Sequence, residues 1–256
     1  RRLVFWGACL SLLALIGFAS TQLKTDADPP APMLHNDQIR VGISDRDMQD
    51  QSYPMARLSA TGGFQLSEKS TGKVLFQSAG GNAVTVGIEA KGFWFTPDTP
   101  RERSAHYAGP LLFRATSTAS GASGEVRILN ITRRGNIPSY RGYFEIVRSG
   151  QDKISVVNVL DLQDYLQAVV PNELPIRYGF EAVKAQAIAA RNYALRPRER
   201  PWSAFDICDS QYCQAYYGKQ TETPQTTQAL RETHGLVALY KGDVLLALYS
   251  SSHGGY

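Results

Sequence analysis

At Asp161 the spacing of apolar residues changes from every second position to every third or fourth, and that change divides the chain into two kinds of structure. Ahead of it, "IRVGIS" at 39–44, "FQLSEK" at 64–69, "VLFQS" at 74–78 and "AVTVGIEA" at 83–90 set apolar residues on one face at period two. Gly62, Gly63, Gly72, Gly80 and Gly81 fall between them, as turns require. The same texture continues through "LLFRATS", "EVRILNIT", "YRGYFEIV" and "KISVVNVL", so residues 38–160 read as strands. Beyond the switch, Leu162, Tyr165, Leu166 and Val169 follow helical spacing, with Asp161 placed to cap the first turn and Pro171 to stop the helix. The alanine-rich "GFEAVKAQAIAARNYAL" at 179–195 predicts a central buried helix. "TPQTTQALRETHG" predicts a third, with Pro224 in its first turn and Gly235 past its end. The segment "LVALYKGDVLLALYSSS" predicts a hairpin turning at Lys241-Gly242-Asp243.

The expected fold is therefore α+β, with a β-rich part over 38–138 and a mixed α/β part over 139–256. The chain of 256 residues, 43% hydrophobic, can bury a sizeable core for it. Arg1 and Arg2 followed by "LVFWGACLSLLALIGFA" read as an export leader over 1–19, either cleaved or kept as a membrane anchor. Residues 20–37, polar and proline-bearing, read as a linker. The leader implies work outside the cytoplasm, in the periplasm, the cell wall or on the outer face of the membrane. A net charge of +4 without any run of five basic residues argues against a nucleic-acid partner.

Within "PNELP", Glu173 stands between Pro171 and Pro175, which bias Val170 and Leu174 toward extended backbone and predict a stiff bend between two helices. A carboxyl held in one direction suits general acid–base work; a helix-capping or solvated glutamate is the plainer alternative. Lys184 and Arg191, seven positions apart, return to one helix face beside Gln186 and Asn192. They read as substrate-binding cations or as a solvated stripe in which Glu181 partners Lys184. Cys208 and Cys213, separated by "DSQY", most simply form a disulfide in an oxidising compartment; zinc ligation and free thiols stay open. Among the aromatic residues, Tyr212, Tyr216, Tyr217 and Trp202 divide between sugar stacking and core filling, with one of Tyr216 and Tyr217 expected to be buried. Phe93, Trp94 and Phe95 read as packing within the β part.

"LDLQDYLQAVVPNELPIRYGFEAVKAQAIAARNYAL" resembles the core signature of the SpoIID/LytB domain, shared by lytic transglycosylases of peptidoglycan and by proteins that enhance cell-wall amidases. The likeness extends through "FDICDSQYCQAYYG" and "THGLVALYKGDVLLALYSSSHGG", covering 139–256, where the family pattern runs on past the double glycine. The resemblance implies a catalytic role for Glu173 and functional roles for Lys184, Gln186 and Arg191. It aligns Ser251 and Ser252 with a serine- and glycine-rich strand end, treated as substrate-binding, in which His253 departs from the usual small residue. It also implies the reaction: one glutamate protonates the glycosidic oxygen between N-acetylmuramic acid and N-acetylglucosamine, then takes the proton of the muramyl 6-hydroxyl. A non-catalytic amidase enhancer is the alternative it allows. The partners implied are glycan strands and, in the second case, a wall amidase. No cofactor is required, although family members with a structural zinc make Cys208, Cys213 and His253 (or His234) weak candidates.

Overall fold

A computed structural model describes residues 38–250 apart from 46, 47, 49, 117–123 and 196–203. The leader, the linker, Cys9, Trp202, Ser251, Ser252 and His253 lie outside the described residues. The strands are β1 (Gln38–Ile43), β2 (Met55–Ala60), β3 (Phe64–Glu68), β4 (Val74–Ser78), β5 (Ala83–Glu89), β6 (Gly92–Pro97), β7 (Leu111–Ala115), β8 (Val126–Ile128), β9 (Ser139–Tyr140), β10 (Tyr143–Arg148), β11 (Ile154–Asp161) and β12 (Ile207–Cys208). A terminal hairpin adds β13 (Leu239–Tyr240) and β14 (Asp243–Val244). The helices are α1 (Leu162–Glu173), α2 (Phe180–Leu195) and α3 (Pro224–Glu232), and the fold is α+β and rich in strand.

Seven strands form one sheet in the order β12-β1-β11-β10-β7-β3-β4, and five form a second in the order β6-β5-β2-β8-β9. Only β1 with β12 is parallel; the remaining neighbours in both sheets are antiparallel. Strands from both sides of position 138 share the larger sheet, so the division drawn there from the sequence runs through a sheet rather than between units. The buried faces of both sheets and of the three helices meet in one apolar cluster.

β11 is covered on both faces. Ile154, Val156 and Leu160 enter the main cluster, while Val157 and Val159 meet Phe205 and Cys208 on the opposite face. That covering segment starts close to β1, where a side chain on Gly42 would collide with the Phe205 ring at 2.8 Å. Further on, Tyr216 packs on Tyr165 and Tyr140 and donates its hydroxyl proton to Asn158 Oδ1 at 2.8 Å. The sheet thus fixes both ends of residues 205–216.

Asp161 caps α1 as expected, accepting from the amides of Gln163 (2.7 Å) and Asp164 (3.3 Å). Pro171 does not stop the helix. It sits in the last turn, with Val170 helical before it, and α1 continues to Glu173. So late in a helix a proline deletes a single ladder bond. Asn172 Nδ2 and Thr221 Oγ1 donate to the Ala168 carbonyl, and the Leu174 amide still reaches Val170 O at 3.0 Å. Termination comes one step later, where Leu174, ahead of Pro175, is extended. Gly179, at φ +100°, takes a backbone conformation that favours glycine and turns the chain into α2.

Candidate active site

Glu173 closes the last turn of α1, half-buried, with the extended Leu174 and Pro175 behind it. Its Oε1 accepts the amide proton of Ala215 at 2.7 Å. Burial pushes its carboxyl above the ordinary glutamate value, and the Ala215 hydrogen bond opposes that rise; no cation among the described residues offsets it. The carboxyl borders a concavity of about 330 Å³ lined also by Tyr193, Gln211, Tyr212, Cys213, Leu248 and Tyr249. Tyr212 and Leu248 project strongly, at 74% and 70% exposure, and give this hollow an open apolar rim.

The amide that holds Glu173 is itself held by four attachments. Cys208 and Cys213 form a disulfide with Cα atoms 5.5 Å apart, closing the loop just ahead of Ala215. Because each sulfur is bonded to the other, neither offers a thiolate to zinc, and the described residues contain no cluster suited to a metal. Asp209, at 0% exposure, pairs with the equally buried Arg133 at 2.9 Å and accepts from the Ser44 amide and hydroxyl. Gln214, fully buried, accepts from Tyr165 OH at 3.1 Å and donates to Tyr249 OH (2.8 Å) and Ala190 O (3.2 Å), joining α1, α2 and the concavity wall. Tyr216 is locked to β11 through Asn158, and is the buried member of the Tyr216–Tyr217 pair; Tyr217 is half-exposed beneath Arg134.

The helix residues expected around Glu173 lie elsewhere. Lys184 pairs with Glu181 at 2.7 Å and Glu232 at 3.6 Å, facing α3, and the Glu181 contact raises its pKa. Arg191 is 3% exposed; it donates to Leu236 O at 2.9 Å and to Gln163 Oε1 at 3.3 Å, and burial lowers its pKa to about 10. The Gln186 amide nitrogen is buried with no partner among the described residues. None of the three lines the concavity. Asn192 clamps the C-terminal hairpin, donating to Ala238 O and Leu245 O and accepting from the Ala238 amide.

Sequence reasoning missed Ala215, Gln214, Tyr193, Leu248 and Tyr249. The motif "QYCQAYYG" was the available signal, but a backbone amide has no side-chain signature and could be assigned only by seeing what it faces.

Residues 150–240 match the SpoIID family, described as Stage II sporulation protein. That stretch is a SpoIID domain. It carries Glu173, the disulfide, Gln214 and Ala215 together. An uncharacterized protein of Brachyspira hyodysenteriae is 36% identical over 107 residues, 41% of this chain and 29% of the relative. The Amidase enhancer of Bacillus subtilis is 37% identical over 91 residues, 36% of this chain and 12% of the relative. Stage II sporulation protein D of Bacillus amyloliquefaciens is 30% identical over 118 residues, 40% and 34% of the two chains. The chain therefore spans about a third or less of the length of these relatives. No solved structure matches it.

Proposed function

We propose that the protein is a peptidoglycan lytic transglycosylase acting outside the cytoplasm, with Glu173 as its single acid and base. The observation that carries this reading is the placement of Glu173: a carboxyl fixed at the edge of a hollow, kept protonatable by burial and aimed by one amide. In its protonated form it delivers a proton to the glycosidic oxygen between N-acetylmuramic acid and N-acetylglucosamine as the bond breaks. The resulting carboxylate accepts the proton of the muramyl 6-hydroxyl, whose oxygen closes on C1 and gives a 1,6-anhydro end. Glu173 is the one carboxylate among the described residues lining the concavity, which favours this elimination over two-carboxylate hydrolysis.

Tyr212, Leu248 and Tyr249 offer the apolar surface on which pyranose C–H faces rest. Lys184 and Arg191 serve the reaction from the scaffold, tying α2 to α3 and to α1, and Ser251 and Ser252, which follow Tyr249 closely in sequence, keep the substrate contacts that the resemblance implies. The disulfide agrees with an oxidising compartment.

The name of the Bacillus subtilis relative favours a second reading, binding to the wall as an amidase enhancer. Mass spectrometry of glycan strands incubated with the protein separates the two. Release of anhydro ends that Glu173→Gln abolishes supports the enzyme; no release, with stimulation of a wall amidase by both forms, supports the enhancer.

A further inference from the structure

The outward face of the smaller sheet carries a second hollow, about 600 Å³ in volume, built entirely from residues ahead of the SpoIID domain. Strand alternation creates it. In β6, Phe93 and Phe95 enter the core while Trp94 and Thr96 face out; in β2 and β5, Met55, Arg57, Thr85 and Gly87 do the same. The register sets two rows across the strands, Met55–Gly87–Trp94 and Arg57–Thr85–Thr96. Gly87 leaves room for the indole: a Cβ there would stand 2.5 Å from Trp94 Cζ2. Arg103 lies over the same ring, 4.1 Å from its centroid, and Glu89 anchors that guanidinium. Trp94 is therefore a fixed wall.

The hollow is rich in donors. Arg57 is neutralised by Asp98 at 2.7 Å, whereas Arg101, exposed at the rim, makes no ion pair among the described residues. The Thr85 and Thr96 hydroxyls make no side-chain hydrogen bond among the described residues, and the Trp94 indole N–H, withheld from water, has no acceptor there. One uncompensated guanidinium and two spare hydroxyls beside an indole face complement a ligand with one carboxylate and several hydroxyl or acyl oxygens. An extended peptide is a poorer occupant because the outer edge of β6 is already taken. Phe93 exchanges backbone bonds with Tyr107, and the Ser104 amide donates to Phe95 O. The volume suits one or two pyranose rings.

We propose that this hollow is a binding site for an acidic saccharide, separate from the Glu173 concavity. Its identity as a wall-glycan site, holding the strand by a muramyl carboxylate that carries no stem peptide, rests on the transglycosylase reading; its preference for a carboxylate-bearing sugar does not.

The test is a fluorescence titration of the full chain with N-acetylmuramic acid, with N-acetylglucosamine, which lacks the carboxylate, and with an acidic dipeptide, which lacks the sugar. Trp94 should report binding, since Trp94→Phe removes its signal and leaves Trp6 and Trp202 as background. N-acetylmuramic acid is expected to bind at least about tenfold more tightly than either control, the worth of one charge-assisted hydrogen bond. Arg101→Ala, at a side chain with no hydrogen bond or ion pair among the described residues, should erase that preference with unchanged circular dichroism. Glu173→Gln should bind as the unaltered protein does, so failure of the catalytic reading leaves this test intact. Equal binding of the two sugars, equal binding of the dipeptide, a preference that survives Arg101→Ala, or a signal that survives Trp94→Phe would each overturn the proposal.

Discussion

Replacing Arg133 by methionine removes the cation from a site where Asp209 has no access to water. The guanidinium also donates to Ser44 O at 2.7 Å, Asp45 O at 3.0 Å and Thr132 O at 3.1 Å, so three carbonyls lose a donor together with the carboxylate. Among the described residues, Ser44 alone would then bond to the Asp209 carboxylate, through its amide and hydroxyl. Breaking one side of a buried pair in this way costs about 3–5 kcal/mol, a large part of the 5–15 kcal/mol that is typical of a folded domain. Urea denaturation should show that loss as a lower midpoint at unchanged slope. Adding Asp209→Asn should restore about 1–3 kcal/mol, because a neutral amide needs no counter-ion in the same space. The damage should also reach the site, since the Tyr216 amide bonds to Asp209 O and Ala215 lies next to it. A loss under about 1 kcal/mol, or strictly additive single and double variants, would refute the reasoning.

Two further outcomes follow from the same contacts. Cys208→Ser with Cys213→Ser opens a loop of sequence separation 5, for which loop-closure entropy predicts a modest loss of about 2 kcal/mol. Glycan release should fall further than that loss explains, because Cys213 borders the concavity two residues from Ala215; full activity under reducing conditions would contradict the role given to this loop. Glu173→Gln should stabilise the fold in a pH-dependent way. A carboxyl whose folded pKa is raised contributes stability at pH values below its unfolded pKa and loses it as pH rises through the folded value. The advantage of glutamine should therefore grow between acidic and neutral pH in thermal unfolding, and a difference that is flat with pH would remove burial as the cause.

The strands at 39–44, 64–69 and 83–90 were legible because the large apolar residues at every second position are buried, and period two reports that directly; β4 follows it less closely, with Val74 exposed and Leu75 and Phe76 half-buried. β2 was harder, since "MARLSA" buries only Ala56 and Leu58 outright, and β12 is a two-residue strand defined by its parallel partner far away in sequence. The start of α1 could be read from Asp161, a local cap. Its end could not be read from Pro171, because the outcome depended on Asn172 and on Thr221, 49 positions further along. The site divides in the same way. Motif and proline spacing picked out Glu173, yet its partner amide lies 42 residues on. Lys184 and Arg191 do project from one helix, but spacing names a face without naming its neighbour, and here the neighbours are Glu232 of α3, Leu236 and Gln163. The disulfide was the simplest reading of two cysteines five apart, with zinc ligation and free thiols as its alternatives.

The central claim is that Glu173 moves the proton that breaks the glycan chain. Mass spectrometry of glycan strands digested by the unaltered protein and by Glu173→Gln tests it most directly. The account predicts 1,6-anhydro ends, lighter by one water than hydrolysed ends, from the unaltered protein, and a fall of about 10²–10⁴-fold or more in their release from the variant. Hydrolysed ends, or anhydro ends released equally by the glutamine variant, would contradict it.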